Sequence, residues 1–84
     1  MEVGIVAEVV EKGNGSDVFF AARIPGLGLT AYAAAEPNAI AKLGRMADAL
    51  KDALPYEEWQ RRLYKAGLYE DSNLLFRRGV NYFV

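Results

Sequence analysis

Between Ala34 and Ile40 the spacing of apolar residues changes from two to three and four, which divides the chain into a strand half and a helix half. Ahead of the change, Val3, Ile5, Ala7 and Val9 alternate with Val6, Glu8 and Val10, so residues 2–11 predict a strand. Gly13-Asn14-Gly15-Ser16 follows, and Asn-Gly is the strongest short hairpin signal because both turn positions tolerate positive φ. Residues 17–24 are the return strand, with Val18, Phe20, Ala22 and Ile24 opposed to Phe19, Ala21 and Arg23. After the turn dipeptide Pro25-Gly26, residues 27–34 predict a third strand with Leu27, Leu29, Ala31 and Ala33 on one side. Three antiparallel strands in a meander are the economical arrangement.

Beyond the change, Ile40, Leu43, Met46, Ala47, Leu50 and Leu54 form one stripe of a helix. Pro37 suits its first turn, Glu36 lies at the positive end of its dipole, and Pro55 ends or bends it. Lys42, Arg45, Asp48, Lys51 and Asp52 occupy the other face. A shorter helix fits residues 56–66, with Glu57 and Glu58 in its first turn and Arg61, Arg62 and Lys65 in its last. Tyr56, Trp59, Leu63 and Ala66 are its expected core face and Gly67 its cap. Residues 74–84 predict a last strand, with a bulge at Gly79. The expectation is one α+β domain over residues 1–84, in the order β-β-β-α-α-β. It is an antiparallel meander plus a C-terminal strand, with the helices packed on one face.

A chain of 84 residues sits near the small end of what folds on a single core, and this one has no cysteine to add a disulfide or a thiolate metal site. Oligomerisation is the remaining source of stability, so at least a dimer is expected. The formal net charge of −1 is unevenly spread: residues 1–60 carry −4 and residues 61–84 carry +3. Solvated helix faces account for such asymmetry, although it can also steer a partner. The first basic residue is Lys12, so no positively charged segment precedes the apolar residues 3–10, which Glu8 interrupts. The least polar stretch, residues 24–35, is too short to cross a bilayer. A cytoplasmic protein without membrane contact is the expectation.

With neither histidine nor cysteine, the chain lacks the commonest general base, the thiol nucleophile and the usual zinc ligands. Carboxylates alone offer magnesium chemistry, for instance Glu8 with Asp48 or Asp52, but the helix carboxylates alternate with basic residues as on an ordinary solvated face. No catalytic, metal or cofactor residue is therefore assigned, and binding is the expected mode of action. Residues 26–31 match a loose dinucleotide pattern, but a strand follows where that pattern needs a helix. Asn14-Gly15-Ser16 matches a glycosylation acceptor, which a chain without a signal peptide does not expose to the enzyme. Arg61, Arg62 and Lys65, with Arg77 beside the aromatic Phe76, Tyr82 and Phe83, offer an RNA-binding face. Adjacent Arg77 and Arg78 point to opposite faces of a strand, so only one joins such a patch. Nucleic acid is the lesser expectation.

The most specific stretch runs from Val18 to Tyr32: Val-Phe-Phe-Ala-Ala-Arg-Ile-Pro-Gly-Leu-Gly-Leu-Thr-Ala-Tyr. A strand with an aromatic-x-Ala element, a Pro-Gly-Leu turn, then a strand with Thr-Ala-Tyr and a helix resembles the HicB-like antitoxin domain. The resemblance spans residues 3–54 and implies a truncated RNase-H-like fold, β-β-β-α-β, without nuclease carboxylates. Glu36-Pro37-Asn38-Ala39 stands where that family opens its helix with a small polar cap and Glu-Glu-Ala, and residues 55–84 lie outside its core pattern. The resemblance implies a stand-alone, non-catalytic antitoxin, without the DNA-binding domain of its longer members, that covers a HicA-like RNA-cleaving toxin. Because such partners carry basic faces, Glu8, Glu11 and Asp17 are the expected partner-binding residues. The alternatives are an orphan structural or small-ligand-binding oligomer of the same fold, and an RNA-binding protein using the basic C-terminal third.

Overall fold

The computed structural model describes residues 1–79. A 3-10 turn at Gly4–Val6 precedes β1 (Glu8–Asn14), β2 (Asp17–Ile24) and β3 (Leu29–Ala33), then α1 (Glu36–Ala53), α2 (Tyr56–Lys65), β4 (Leu68–Asp71) and β5 (Leu74–Arg77). The fold is α+β in the expected order, with the last strand replaced by a hairpin. β1, β2 and β3 form an antiparallel sheet in chain order, and β4 and β5 form a second, two-stranded one.

The first hairpin is longer than the alternation predicts. β1 continues to Asn14, which pairs with Asp17, so the loop is Gly15-Ser16 rather than Asn14-Gly15. Gly15 has φ +63° while Ser16 keeps a negative φ, the pattern of a type II′ turn that follows the twist of the flanking strands.

Residues 2–7 do not extend β1. Val3 and Val6 are both 1% exposed, three residues apart as a 3-10 turn requires and as strand alternation forbids. The segment is anchored at its start: the Glu2 N–H donates to the Asn73 carbonyl at 3.0 Å, and the Leu75 N–H donates to the Glu2 carbonyl at 3.1 Å. This is a single parallel bridge between the N-terminus and the second hairpin. The segment crosses α1 at Gly44, where any Cβ would collide with the Met1 carbonyl oxygen.

Pro37 lies in the first turn of α1, and Leu54 leaves the helix in extended geometry immediately before Pro55. Pro55 then opens α2, its carbonyl accepting the Trp59 N–H at 3.0 Å. Trp59 and Leu63 enter the core as expected, but Tyr56 is 74% exposed. Helical side chains lean toward the N-terminus, and at the first residue of α2 only the exposed Pro55 lies in that direction. Gly67 closes α2, donating to the Tyr64 carbonyl at 3.0 Å.

The expected strand over residues 74–84 begins at Leu74 as β5 but ends at Arg77, and it pairs in a hairpin with an added strand, β4. Ser72 and Asn73, with φ +50° and +66°, form the two-residue loop between β4 and β5, as a type I′ turn demands. Gly79 follows β5 instead of interrupting a strand, and the remainder of that expectation, including Tyr82 and Phe83, lies outside the described residues.

One core joins all the elements. Ala22, Ile24 and Ala31 on the inner face of the large sheet pack with Leu43 and Ala47 of α1, Trp59 and Leu63 of α2, and Leu68 and Leu75 of the second hairpin. The other face of the large sheet is left open among the described residues.

Candidate functional site

Strand alternation decides what the open face carries. β1 contributes Glu8, Val10 and Lys12, β2 contributes Phe19, Ala21 and Arg23, and β3 contributes Thr30 and Tyr32. Most of them line a shallow concavity of about 220 Å³. Tyr32 is 54% exposed, Val10 49% and Phe19 38%. The Phe19 and Tyr32 rings are tilted at 58° with centroids 6.1 Å apart, an arrangement that holds both in place at the surface. The Glu8 carboxylate accepts from Arg23 at 2.8 Å, so the patch ends in an internally paired charge. Exposed apolar and aromatic groups rimmed by charge have a chemistry suited to docking a protein.

Glu8, Glu11 and Asp17 are only partly brought together. Glu8 and Asp17 share the open face but stand at opposite ends of the hairpin, about 20 Å apart along the strands. Glu11, an odd number of residues from Glu8, belongs to the other face, opposite Phe20. The three do not form one acidic patch. The charge-based assignment missed Val10, Phe19 and Tyr32, although the period-two alternation already separates Phe19 from the core.

The basic residues of the C-terminal third are spent largely within the fold. Arg61 and Arg62 both reach Glu58, at 2.6 and 3.5 Å. Arg78 donates to the Leu68 carbonyl at 3.0 Å and lies 5.1 Å above the Tyr64 ring, fastening the end of β5 to α2. Lys65 is exposed, and Arg77 is exposed at the end of β5.

The groups with displaced titration form a different cluster. Glu70 of β4 accepts from Lys51 of α1 at 2.7 Å and from the Trp59 indole of α2 at 3.0 Å. Burial pushes the Glu70 carboxyl up, but the hydrogen bonds from Lys51 and Trp59 outweigh it and hold the group below the usual carboxylate range. The same bond to Glu70 holds the Lys51 ammonium above its ordinary value. Asp48, one turn earlier on α1, accepts from the N-terminal ammonium at 2.5 Å. The cluster joins three elements and the chain start, which is the work of a structural clamp. Glu8 lies on the open face while α1 packs on the inner one, so the sheet separates Glu8 from Asp48 and Asp52. Among the described residues no group of three or more acidic side chains is placed to hold a metal ion.

A second concavity of about 530 Å³ lies between the N-terminal segment and the start of α1, lined by Met1, Val3, Pro37 and Ile40 among others. Among the described residues no helix is long and apolar enough to cross a membrane. No family model matches the chain, and no curated protein or solved structure matches it.

Proposed function

We propose that this chain is a non-catalytic protein-binding module of the HicB-like type, which acts in the cytoplasm by covering the active face of a small HicA-like RNA-cleaving toxin. The observation that carries the reading is the open sheet face: Val10, Phe19 and Tyr32 stand exposed on strands whose other face supplies Ala22, Ile24 and Ala31 to the core. The Val18–Tyr32 stretch that resembles the family supplies β2, its turn and most of β3, and therefore two of those three side chains. Binding rather than turnover is supported by a sequence without histidine or cysteine and by carboxylates that are separated by the sheet or engaged in clamps. Mixing the purified chain with a HicA-like toxin and following RNA cleavage tests the reading. Inhibition at a fixed molar ratio is expected, weakened by Tyr32→Ala. Undiminished cleavage in the presence of excess chain contradicts it.

The apolar concavity at Met1, Pro37 and Ile40 favours a second reading, in which the fold takes up a small apolar ligand. Saturable binding of such a probe, abolished by Ile40→Lys, would support that alternative.

A further inference from the structure

β1 is an edge strand of the large sheet. The two-residue loop makes Asn14 and Asp17 a hydrogen-bonded pair, and bonded pairs alternate along an antiparallel ladder. Lys12, Val10 and Glu8 therefore bond to β2, while Val9 and Glu11 turn their N–H and carbonyl groups to the outer edge. Among the described residues no strand lies on that side of β1.

Antiparallel pairing of two β1 strands about a two-fold axis at Val10 places Val9 opposite Glu11 of the other copy, both with outward-facing backbone groups, so the ladder closes in register. On the open face the same register sets Val10 against Val10, and Glu8 against Lys12 on each side of the axis. On the open face the mirrored positions Glu8 and Lys12 thus carry opposite charges and the centre carries an exposed valine, so that face of the edge is complementary to a second copy of itself. The opposite edge of the sheet is not equivalent. On β3 the bonded pairs place Tyr32 outward, and its carbonyl already accepts from Lys42 of α1 at 3.2 Å.

We propose that a second copy of this chain pairs with β1 along this edge, antiparallel about Val10, to give a two-fold dimer with one continuous six-stranded sheet. The inference rests on strand register and charge, independently of any toxin. It leaves Phe19 and Tyr32 of both copies on one open face.

Val10→Cys tests the register directly, because the chain has no other cysteine. Residues facing each other at a non-bonded position have Cα atoms about 4.5 Å apart, within disulfide range. Oxidised Val10→Cys should migrate as a covalent dimer, and Val18→Cys, exposed on the central strand, should not. Light scattering on charge variants, each checked for folding by circular dichroism, supplies the second test. Glu8→Lys and Lys12→Glu should each weaken self-association by about tenfold or more, since attraction becomes repulsion on both sides of the axis. Mixing the two variants should restore a dimer, because opposite charges then face each other again on both sides of the axis. A wild-type chain that is monomeric at high micromolar concentration, equal cross-linking at both cysteine positions, or a mixture of variants that stays monomeric would each overturn the proposal.

Discussion

The Trp59 indole N–H donates to the Glu70 carboxylate at 3.0 Å, and Lys51 holds the same carboxylate at 2.7 Å. One side chain, only 13% exposed, thereby ties α1, α2 and β4 together. Removing its charge leaves a buried indole N–H and an ammonium with weaker partners. Glu70→Gln should cost about 1–3 kcal/mol in chemical denaturation. A loss below the resolution of the measurement would mean the clamp is not formed in solution.

The clamp also sets a pH dependence. A carboxyl held below its ordinary value contributes stability that is present above the unfolded value, about 4.3 for glutamate, and lost as pH falls through the folded one. An ammonium held above its ordinary value contributes stability that is present below about 10.4 and lost as pH rises through the folded value. Stability should therefore be flat at neutral pH and decline on both limbs. Thermal midpoints of Glu70→Gln measured across that range should decline less steeply on each limb. Parallel curves for the two proteins would remove Glu70 and Lys51 as the cause.

Leu43 and Leu50 belong to one stripe in the sequence but differ in burial. Leu43 is 0% exposed, whereas Leu50 is only partly buried against the core. Leu43→Ala should cost about 2–5 kcal/mol, close to the whole stability of so small a domain, and Leu50→Ala distinctly less. Equal losses in thermal denaturation would contradict this placement of α1.

Gly44 lies inside α1, where alanine is intrinsically favoured by about 1 kcal/mol. Its substitution should nonetheless destabilise, by about 1–3 kcal/mol, because the added Cβ meets the Met1 carbonyl and must displace the N-terminal segment. A more stable Gly44→Ala variant would show that this segment is not seated across the helix.

The elements that alternation, helical spacing and proline determine were legible in the sequence: β2, the boundary of α1 at Pro55, and the Trp59–Leu63 face of α2. The parts that escaped depend on contacts far along the chain. Val3 to Val9 has a strand's alternation, but Glu2 bonds to Asn73 and Leu75 and the Ala7 N–H turns back to the Val3 and Gly4 carbonyls, so a 3-10 turn forms over Gly4–Val6 instead. The β4–β5 turn uses Ser72-Asn73 at positive φ, a weaker signal than Asn-Gly, so β4, ahead of the expected strand over residues 74–84, is not marked in the sequence. For the candidate site, counting charge singled out Glu8, Glu11 and Asp17. The same period of two that revealed the strands places Glu8 and Glu11 on opposite faces, and the exposed Phe19 and Tyr32 follow from it equally well.

Under the proposed function the open face binds a toxin and the chain performs no chemistry of its own. Titrating the purified chain into a HicA-like toxin, with RNA cleavage as the readout and with and without magnesium, tests both halves at once. Cleavage should fall linearly to zero at a fixed molar ratio, and the chain alone should leave RNA intact under both conditions. Reversal of Glu8 and Asp17, the two that share the open face, should slow inhibition more at low salt than at high, since exposed charges steer association within a screening length. Tyr32→Ala should raise the dissociation constant by about tenfold at either salt, which rounds the titration near its end point. Magnesium-dependent cleavage by the chain alone, or full toxin activity beneath an excess of it, would contradict the account.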